Sequence, residues 1–449
     1  MFRLAFLGTL LLILVGPIGK SAPPNLSRVP VVMVSIDGLK PDYVLEADKL
    51  HLNLPNLQKL VREGTYASAV KGVLPTLTYP SHVTLVTGVS PSKHGILSNT
   101  PIDPMEKNLN GWNWYAQDIK VTTLWDAVFQ SGQIVSSIDW PVTVGAKMNY
   151  NIPQYWRGLD TEDHKLMLAL STPGWLAWLE KILGAYPAGY HYTVEDDARK
   201  ARFTAEVLTS KKPLFHLAYI SSLDEEQHAM GPEHPKVYSV LEKIDRVVGE
   251  LRAAADKAYG GTEVFCVVSD HGFIRSENEV RPNAVLKKAG LIATDDKGAI
   301  KDWRAYAWTS DGTAAILVNS KPGDSVHEKV RKVLQHFAAD PANGVLRLLE
   351  KEEISRMGGY PDAAFVLAAK PGFSFSKRVE GPPLIKRIAG GEHGYLAELH
   401  DMDAAFFIVG KGVSPGKNLG IIDMRDIAPT LAALLKVSLP QAEGRNLLQ

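Results

Sequence analysis

The chain has 449 residues, with 49 basic and 49 acidic side chains and one cysteine, Cys266. That length buries a large core, in one big domain or in two to three smaller ones. Zero net charge excludes a nucleic-acid binder working through a basic face, and one cysteine excludes an internal disulfide framework.

The first residues have the layout of a secretory signal peptide: Arg3, an apolar run from Leu4 to Val15, then small and turn-forming residues. Cleavage is expected near Ala22, leaving 23–449 as a periplasmic or secreted domain. The run is short for a membrane span of about 20 residues, although an uncleaved anchor is the alternative. No later stretch reads as a transmembrane helix.

Pro30–Gly38 (PVVMVSIDG) reads as a strand buried on both faces, with Asp37 at its C-terminal tip. Leu54–Gly64 reads as a short helix and Thr65–Val73 as a second strand. In Leu74–Asn99 the hydroxyl of Thr78 is followed by Tyr79, then by Pro80 in the first turn of a helix that Gly88 ends. That places Thr78 near unpaired N–H groups that favour negative charge, as a nucleophile once its proton is removed. His82 and His94 are expected to order this loop.

Residues 101–195 hold seven of the nine tryptophans and read as a variable insertion, apart from a sheet strand within Ser136–Pro141. Packing is the favoured role of those rings. Pro213–Asp224 is the next buried strand, ending in Asp224, with His228 four residues on and His216 as a core histidine. Ser239–Tyr259 has the apolar spacing of one helical face. Thr262–Gly272 is a third apolar strand, containing an inert Cys266 and ending in Asp270-His271. A second insertion spans 275–390, with strands at Ala314–Asn319 and Ala363–Ala369. His393 follows it, then a strand at Ala404–Gly410 and a helix at Asp426–Leu435.

Strands alternating with helices predict an α/β fold, a doubly wound, mainly parallel sheet between helix layers with inserted cap segments. Ligands of such sheets bind beyond the strand tips, so Asp37, Asp224 and Asp270 converge on one rim. Three carboxylates and three imidazoles fit two zinc-like ions. One ion takes Asp37, Thr78, Asp270 and His271, and the other takes Asp224, His228 and His393. Two metals about 4 Å apart suit an in-line phosphoryl transfer.

The order SIDG, TYPSH…VTG…HGI…N, DxxxHxxGP, SDHG and HGY resembles the alkaline phosphatase superfamily, and within it the nucleotide pyrophosphatase/phosphodiesterase (type I phosphodiesterase) branch. The resemblance implies an alkaline phosphatase-like fold, two Zn²⁺ ions on the ligands just named, and Thr78 as nucleophile. It also implies that Asn99 contacts the phosphate and that the Tyr79 ring stacks on the substrate. Ser81 stands where that branch has asparagine, and HGYLAE is closer to phosphonoacetate hydrolase-like members. The expected activity is hydrolysis of a small phosphodiester or phosphoanhydride through a phospho-threonine. A phosphomonoesterase or phosphonoacetate-type hydrolase on the same site is the alternative, and a non-catalytic exported zinc-binding protein is the rival outside enzymes.

Overall fold

The structure, a computed structural model, describes residues 28–108, 111–158, 162–189, 192–321 and 324–448. The signal peptide expected over 1–22 lies outside them. Among the described residues, no helix is long and apolar enough to cross a membrane.

A central eight-stranded sheet organises the fold. Its strands in chain order are β1 (Val31–Ile36), β2 (Thr65–Tyr66), β3 (Val135–Ile138), β4 (Tyr150–Ile152), β5 (Phe215–Ile220), β6 (Val264–Val268), β7 (Phe406–Gly410) and β8 (Lys417–Asn418). Across the sheet they run β8-β2-β7-β6-β1-β5-β3-β4. β1 lies at the centre, parallel to both β5 and β6, and β3 continues the parallel set beyond β5.

Both faces are covered, which is why β1 reads as a continuous apolar run. Val32, Val34 and Ile36 point into one core with Leu241, Ile244 and Val248 of the helix Pro235–Tyr259. Val31 and Met33 point into the opposite core with Leu85, Leu431 and Leu435. The two-residue period of a strand thus feeds two separate helix layers.

Several expectations change. The expected strand at Thr65–Val73 splits into β2 and a separate strand, Ala69–Lys71, which pairs in another sheet. Within residues 101–195 the expected sheet strand is β3, and a second segment, β4, also joins the central sheet beside it. The segment at Ala404–Gly410 does form a strand, but β7 runs antiparallel to β6. Antiparallel entry puts the chain before Phe406 on the same rim as the C-terminal ends of β1 and β6. Gly272 accordingly donates its N–H to Met402 O at 3.2 Å. Residues 275–390 build a lobe with a four-stranded antiparallel sheet and a three-stranded sheet that ends at Glu392, beside His393.

Candidate active site

Asp37 leaves the tip of β1, followed by Gly38 at φ +68°. A Cβ at Gly38 would lie 2.6 Å from Gln227 Nε2 and 2.8 Å from the Phe273 ring, so the turn after Asp37 requires glycine. The Gly38 N–H donates to Asp270 Oδ1 at 3.1 Å, joining the tips of β1 and β6. Tyr219, on β5, donates its hydroxyl to Asp37 Oδ2.

The helix α1 (Thr78–Thr87) starts on Thr78 itself, two residues before Pro80, and ends at Gly88 in the left-handed region. Leu77 precedes it and has no side chain able to cap. Asn99 supplies the acceptor instead, taking the Tyr79 N–H on Oδ1 at 2.9 Å. With Oδ1 engaged, the amide nitrogen is the half of Asn99 left to donate. His82 donates Nδ1–H to Thr78 O at 2.7 Å and accepts from Ser35 on Nε2 at 2.9 Å, while His94 meets Thr84 Oγ1 at 3.1 Å. Both histidines therefore pin α1, and burial holds each at about 3, neutral at any working pH. His216 is a core histidine bonded to Ser136 at 2.7 Å.

Asp224 is not at a strand tip. It occupies the first turn of α2 (Ser222–Met230), and His228 follows one turn later with Nε2 3.5 Å from Asp224 Oδ2. The i,i+4 spacing on a helix, rather than a loop, brings this pair together. Asp270 and His271 follow β6 directly, and His393 follows the lobe strand Leu384–Glu392.

Three imidazoles share one arrangement. His228, His271 and His393 each direct Nδ1 at a backbone carbonyl: Gly391 O at 3.0 Å, Gly272 O at 3.1 Å and Thr76 O at 3.1 Å. In the neutral ring, donation from Nδ1 leaves Nε2 as the lone-pair atom. Each Nε2 faces carboxylates, with His271 Nε2 3.3 Å from Asp37 Oδ1 and 3.2 Å from Asp270 Oδ2, and His393 Nε2 3.8 Å from Asp224 Oδ1. The His271 and His393 rings stack at 3.7 Å and 9°.

Two groups of side chains have geometry to hold a metal ion: Asp37 with Asp270 and His271, and Asp224 with His271 and His393. His271 thus reaches both, where the sequence assigned it to one. His228 stands beside Asp224 at the edge of the second group. Asp37 Oδ1, Asp224 Oδ1 and Asp270 Oδ2 are buried without any hydrogen-bond partner. Buried carboxylate oxygens facing imidazole lone pairs are costly unless a cation joins them, so the donor set fits divalent metal.

The titration pattern carries the same signature. Burial, then repulsion from Asp270, lifts the Asp37 carboxyl well above its ordinary value. Burial and the charge on Asp37 do the same to Asp224, and burial raises Asp270 to about 7. Burial depresses His271, and holds His393 at about 3. Of the three site imidazoles only His228 rises, because Asp224 and Glu392 outweigh the burial that opposes them.

Thr78 Oγ1 lies 3.5 Å from His271 Nε2 and lines a narrow cleft with Asp37, Asp224 and an aromatic wall. The residues of that wall were the ones sequence reasoning missed. Trp112 and Tyr192 line it, and Gln154 accepts the Tyr79 hydroxyl at 2.8 Å. Tyr79 is itself fully buried with its ring edge on Trp112 at 5.2 Å. Half-buried Trp112 is the more open ring for stacking. Trp114, Trp125, Trp140, Trp156 and Trp175 are buried in the core, as packing requires. A tyrosine closing an apolar strand just before an Asp-bearing turn, as Tyr219 does, is the one sequence signal that would have flagged it.

A doubly wound sheet carrying a helix-start hydroxyl, three carboxylates and three imidazoles on its C-terminal rim defines the alkaline phosphatase-like α/β class. The sequence model for type I phosphodiesterase / nucleotide pyrophosphatase matches residues 31–396. Human ectonucleotide pyrophosphatase/phosphodiesterase family member 5 is 25% identical over 419 residues, covering 91% of this chain and 74% of its own. A Xenopus laevis bis(5'-adenosyl)-triphosphatase is 23% identical over 428 residues, covering 93% and 80%. The structure of murine family member 5, an inactive form in complex with AMP, shares the fold at a TM-score of 0.67 and 21% identity, covering 94% of this chain and 99% of that one. The chain belongs to the type I phosphodiesterase / nucleotide pyrophosphatase family.

Proposed function

We propose that the protein is an exported two-zinc phosphodiesterase/nucleotide pyrophosphatase that works through a phospho-threonine. In this reading residues 1–22 are a signal peptide, 23–449 are the mature periplasmic or secreted enzyme, and the substrate is a nucleotide or related small diester. Asp37, Thr78, Asp270 and His271 would hold one ion, and Asp224, His228 and His393 the other. When bound, the pair supplies Lewis-acid stabilisation to the threonine alkoxide and to the departing oxygen.

The chain's own groups do the rest. Thr78 Oγ1, fixed at the start of α1, forms a bond to phosphorus while the bond to the leaving oxygen breaks on the opposite side. The Asn99 amide nitrogen, the half of that side chain left to donate once Oδ1 takes the Tyr79 N–H, holds a non-bridging oxygen. Water then cleaves the threonine phosphate and releases the product. The observation that carries this reading is the Thr78 hydroxyl, 3.5 Å from His271 Nε2, at the edge of three orphaned carboxylate oxygens.

Monoester and phosphonate substrates are less well served. Among the described residues lining the two cavities beside Thr78, there is no lysine or arginine to grip an extra negative charge. The purified protein is expected to release nitrophenol from the p-nitrophenyl ester of TMP faster than from p-nitrophenyl phosphate, and to lose that activity to a chelator. Chelator-insensitive turnover, or a monoester preference, would count against the proposal.

Metal removal has a second expected signature. Asp270 sits at about 7 in the fold, against about 3.9 in an unfolded chain. A raised carboxyl contributes stability fully below about pH 4, and that contribution is lost as pH rises through 7. Asp37 and Asp224 shift in the same sense. The rise in melting temperature on adding zinc is therefore expected to be larger at about pH 8 than at about pH 5.5, a comparison in which the buried neutral histidines away from the site cancel. Calorimetry with and without zinc at both pH values checks this, and an equal rise at both would refute the coupling.

A further inference from the structure

The segment Gly390–Gly394 (GGEHG) contains one charged side chain with no part in the chemistry proposed above, Glu392. It ends the lobe strand Leu384–Glu392 and stands immediately before His393. The two glycines before it explain where it lies. A Cβ at Gly390 would fall 2.4 Å from His228 O, and one at Gly391 would fall 2.5 Å from Gln227 O. Glycine at both positions lets the strand backbone rest directly on the backbone of α2, and this carries Glu392 to the ring of His228.

Both Glu392 oxygens are engaged. Oε1 accepts from Arg387, and Oε2 lies 3.3 Å from His228 Nδ1. The same Nδ1 is 3.0 Å from Gly391 O, so a carbonyl and a carboxylate share one N–H. Phe273 closes another side of the imidazole, edge to face with ring centres 4.9 Å apart. Held on these sides, the ring turns Nε2 toward Asp224 Oδ2, 3.5 Å away.

The other two site imidazoles need no such support. The side chains of His271 and His393 are 0% and 4% exposed and stack on one another, so packing alone immobilises them. The His228 side chain is 35% exposed. A ligand at the surface keeps its rotamers unless something holds it, and that freedom is lost whenever a metal binds. Glu392 removes the freedom beforehand, and its charge behind the ring strengthens the lone pair on Nε2. We propose that Glu392 is a positioning residue for the second ion, acting through His228, the exposed ligand, and so setting how tightly that ion is kept. The inference rests on the reading above in which Asp224, His228 and His393 hold that ion.

The test is calorimetric titration of zinc into the metal-free protein, for the wild type, Glu392→Gln, His228→Ala and the double variant. Glutamine keeps the length and an acceptor for Arg387 but removes the charge. The wild type is expected to bind two ions, and Glu392→Gln to weaken the second by about tenfold or more while leaving the first within about threefold. Without His228 the same substitution is expected to cost nothing further, because an effect routed through that ring vanishes with it. Glu392→Asp, which draws the charge back by one methylene, is expected to fall between wild type and Glu392→Gln. Arg387→Met leaves Glu392 facing His228 and is expected to keep the second ion within about threefold. A loss there equal to that of Glu392→Gln would show that Glu392 serves only to anchor the strand, and would overturn the proposal. So would an unchanged second ion in both Glu392 variants, or an undiminished effect in the absence of His228, and each of these leaves the phosphodiesterase reading intact. A wild type that binds fewer than two zinc ions would overturn the two-ion reading as well.

Discussion

Replacing Thr78 with alanine is expected to lower turnover by about a thousandfold or more while leaving thermal stability almost unchanged. The large effect follows from the role: without Oγ1 no bond to phosphorus forms, and activity falls to what positioning alone provides. The small effect follows from the surroundings. The hydroxyl makes one long contact, 3.5 Å to His271 Nε2, so no buried partner loses a close hydrogen bond. The Thr78 carbonyl, which accepts from His82, is untouched by the substitution, and alanine suits a helix at least as well as threonine. Steady-state kinetics and a melting curve on the same preparation check both halves. Thr78→Ser should retain part of the activity. Turnover within tenfold of wild type in Thr78→Ala would remove the nucleophile from Thr78.

Replacing Lys200 with methionine is expected to destabilise the fold by about 3–5 kcal/mol, the cost of breaking a buried ion pair. Lys200 is 2% exposed, and its ammonium lies 2.8 Å from both Asp139 Oδ2 and Asp197 Oδ1 and 3.9 Å from the centre of the Tyr192 ring. Methionine fills similar volume but strands two buried carboxylates. The penalty depends on pH. Burial raises Asp139 to about 6, with Lys200 opposing the rise. In the wild type, the stability from this raised carboxyl is present below about pH 4 and lost as pH rises through 6. Removing the ammonium makes charged Asp139 costlier still, so the loss is largest above pH 6 and shrinks toward pH 4. Urea denaturation of both proteins at about pH 5 and pH 8 measures it, and a change below about 1 kcal/mol at pH 8 would show that the triad contributes little.

The same substitution is expected to reach the active site. Asp197 Oδ2 accepts the Ser222 N–H at 2.9 Å, holding the start of the helix that presents Asp224. Tyr192, under the ammonium, lines the Thr78 cleft. Loss of Lys200 should therefore lower kcat along with stability.

The sequence by itself determined the local parts of this protein. Apolar runs ending in aspartate marked β1 and β6, because strands covered on both faces must be apolar throughout. Thr-Tyr-Pro before a short apolar segment marked the start of α1, and the alternation of strands and helices marked the class. Asp37, Thr78, Asp270, His271 and His393 were legible because each sits where a regular element starts or stops, and starts and stops have local chemical causes.

Only the tertiary structure decided how those parts meet. Burial looks the same in parallel and antiparallel strands, so the reversed β7 was invisible in its apolar run. Its direction nevertheless brings the chain before Phe406 to the rim that carries Asp37 and Asp270. Asp224 and His228 share a helix rather than a strand tip because α2 begins directly after Ser221, and Asp197 holds that start from another element. His271 lies between both carboxylate groups because its ring stacks on that of His393, more than a hundred residues away in sequence. Tyr79 is buried by Gln154 and Trp112, which no spacing near Tyr79 announces. Lys200 sits on the helix Val194–Lys211, where Asp139, from another element, and Asp197 enclose its ammonium. Hydrophobic period and end signals act over a few residues, whereas register and packing bring together groups hundreds of residues apart.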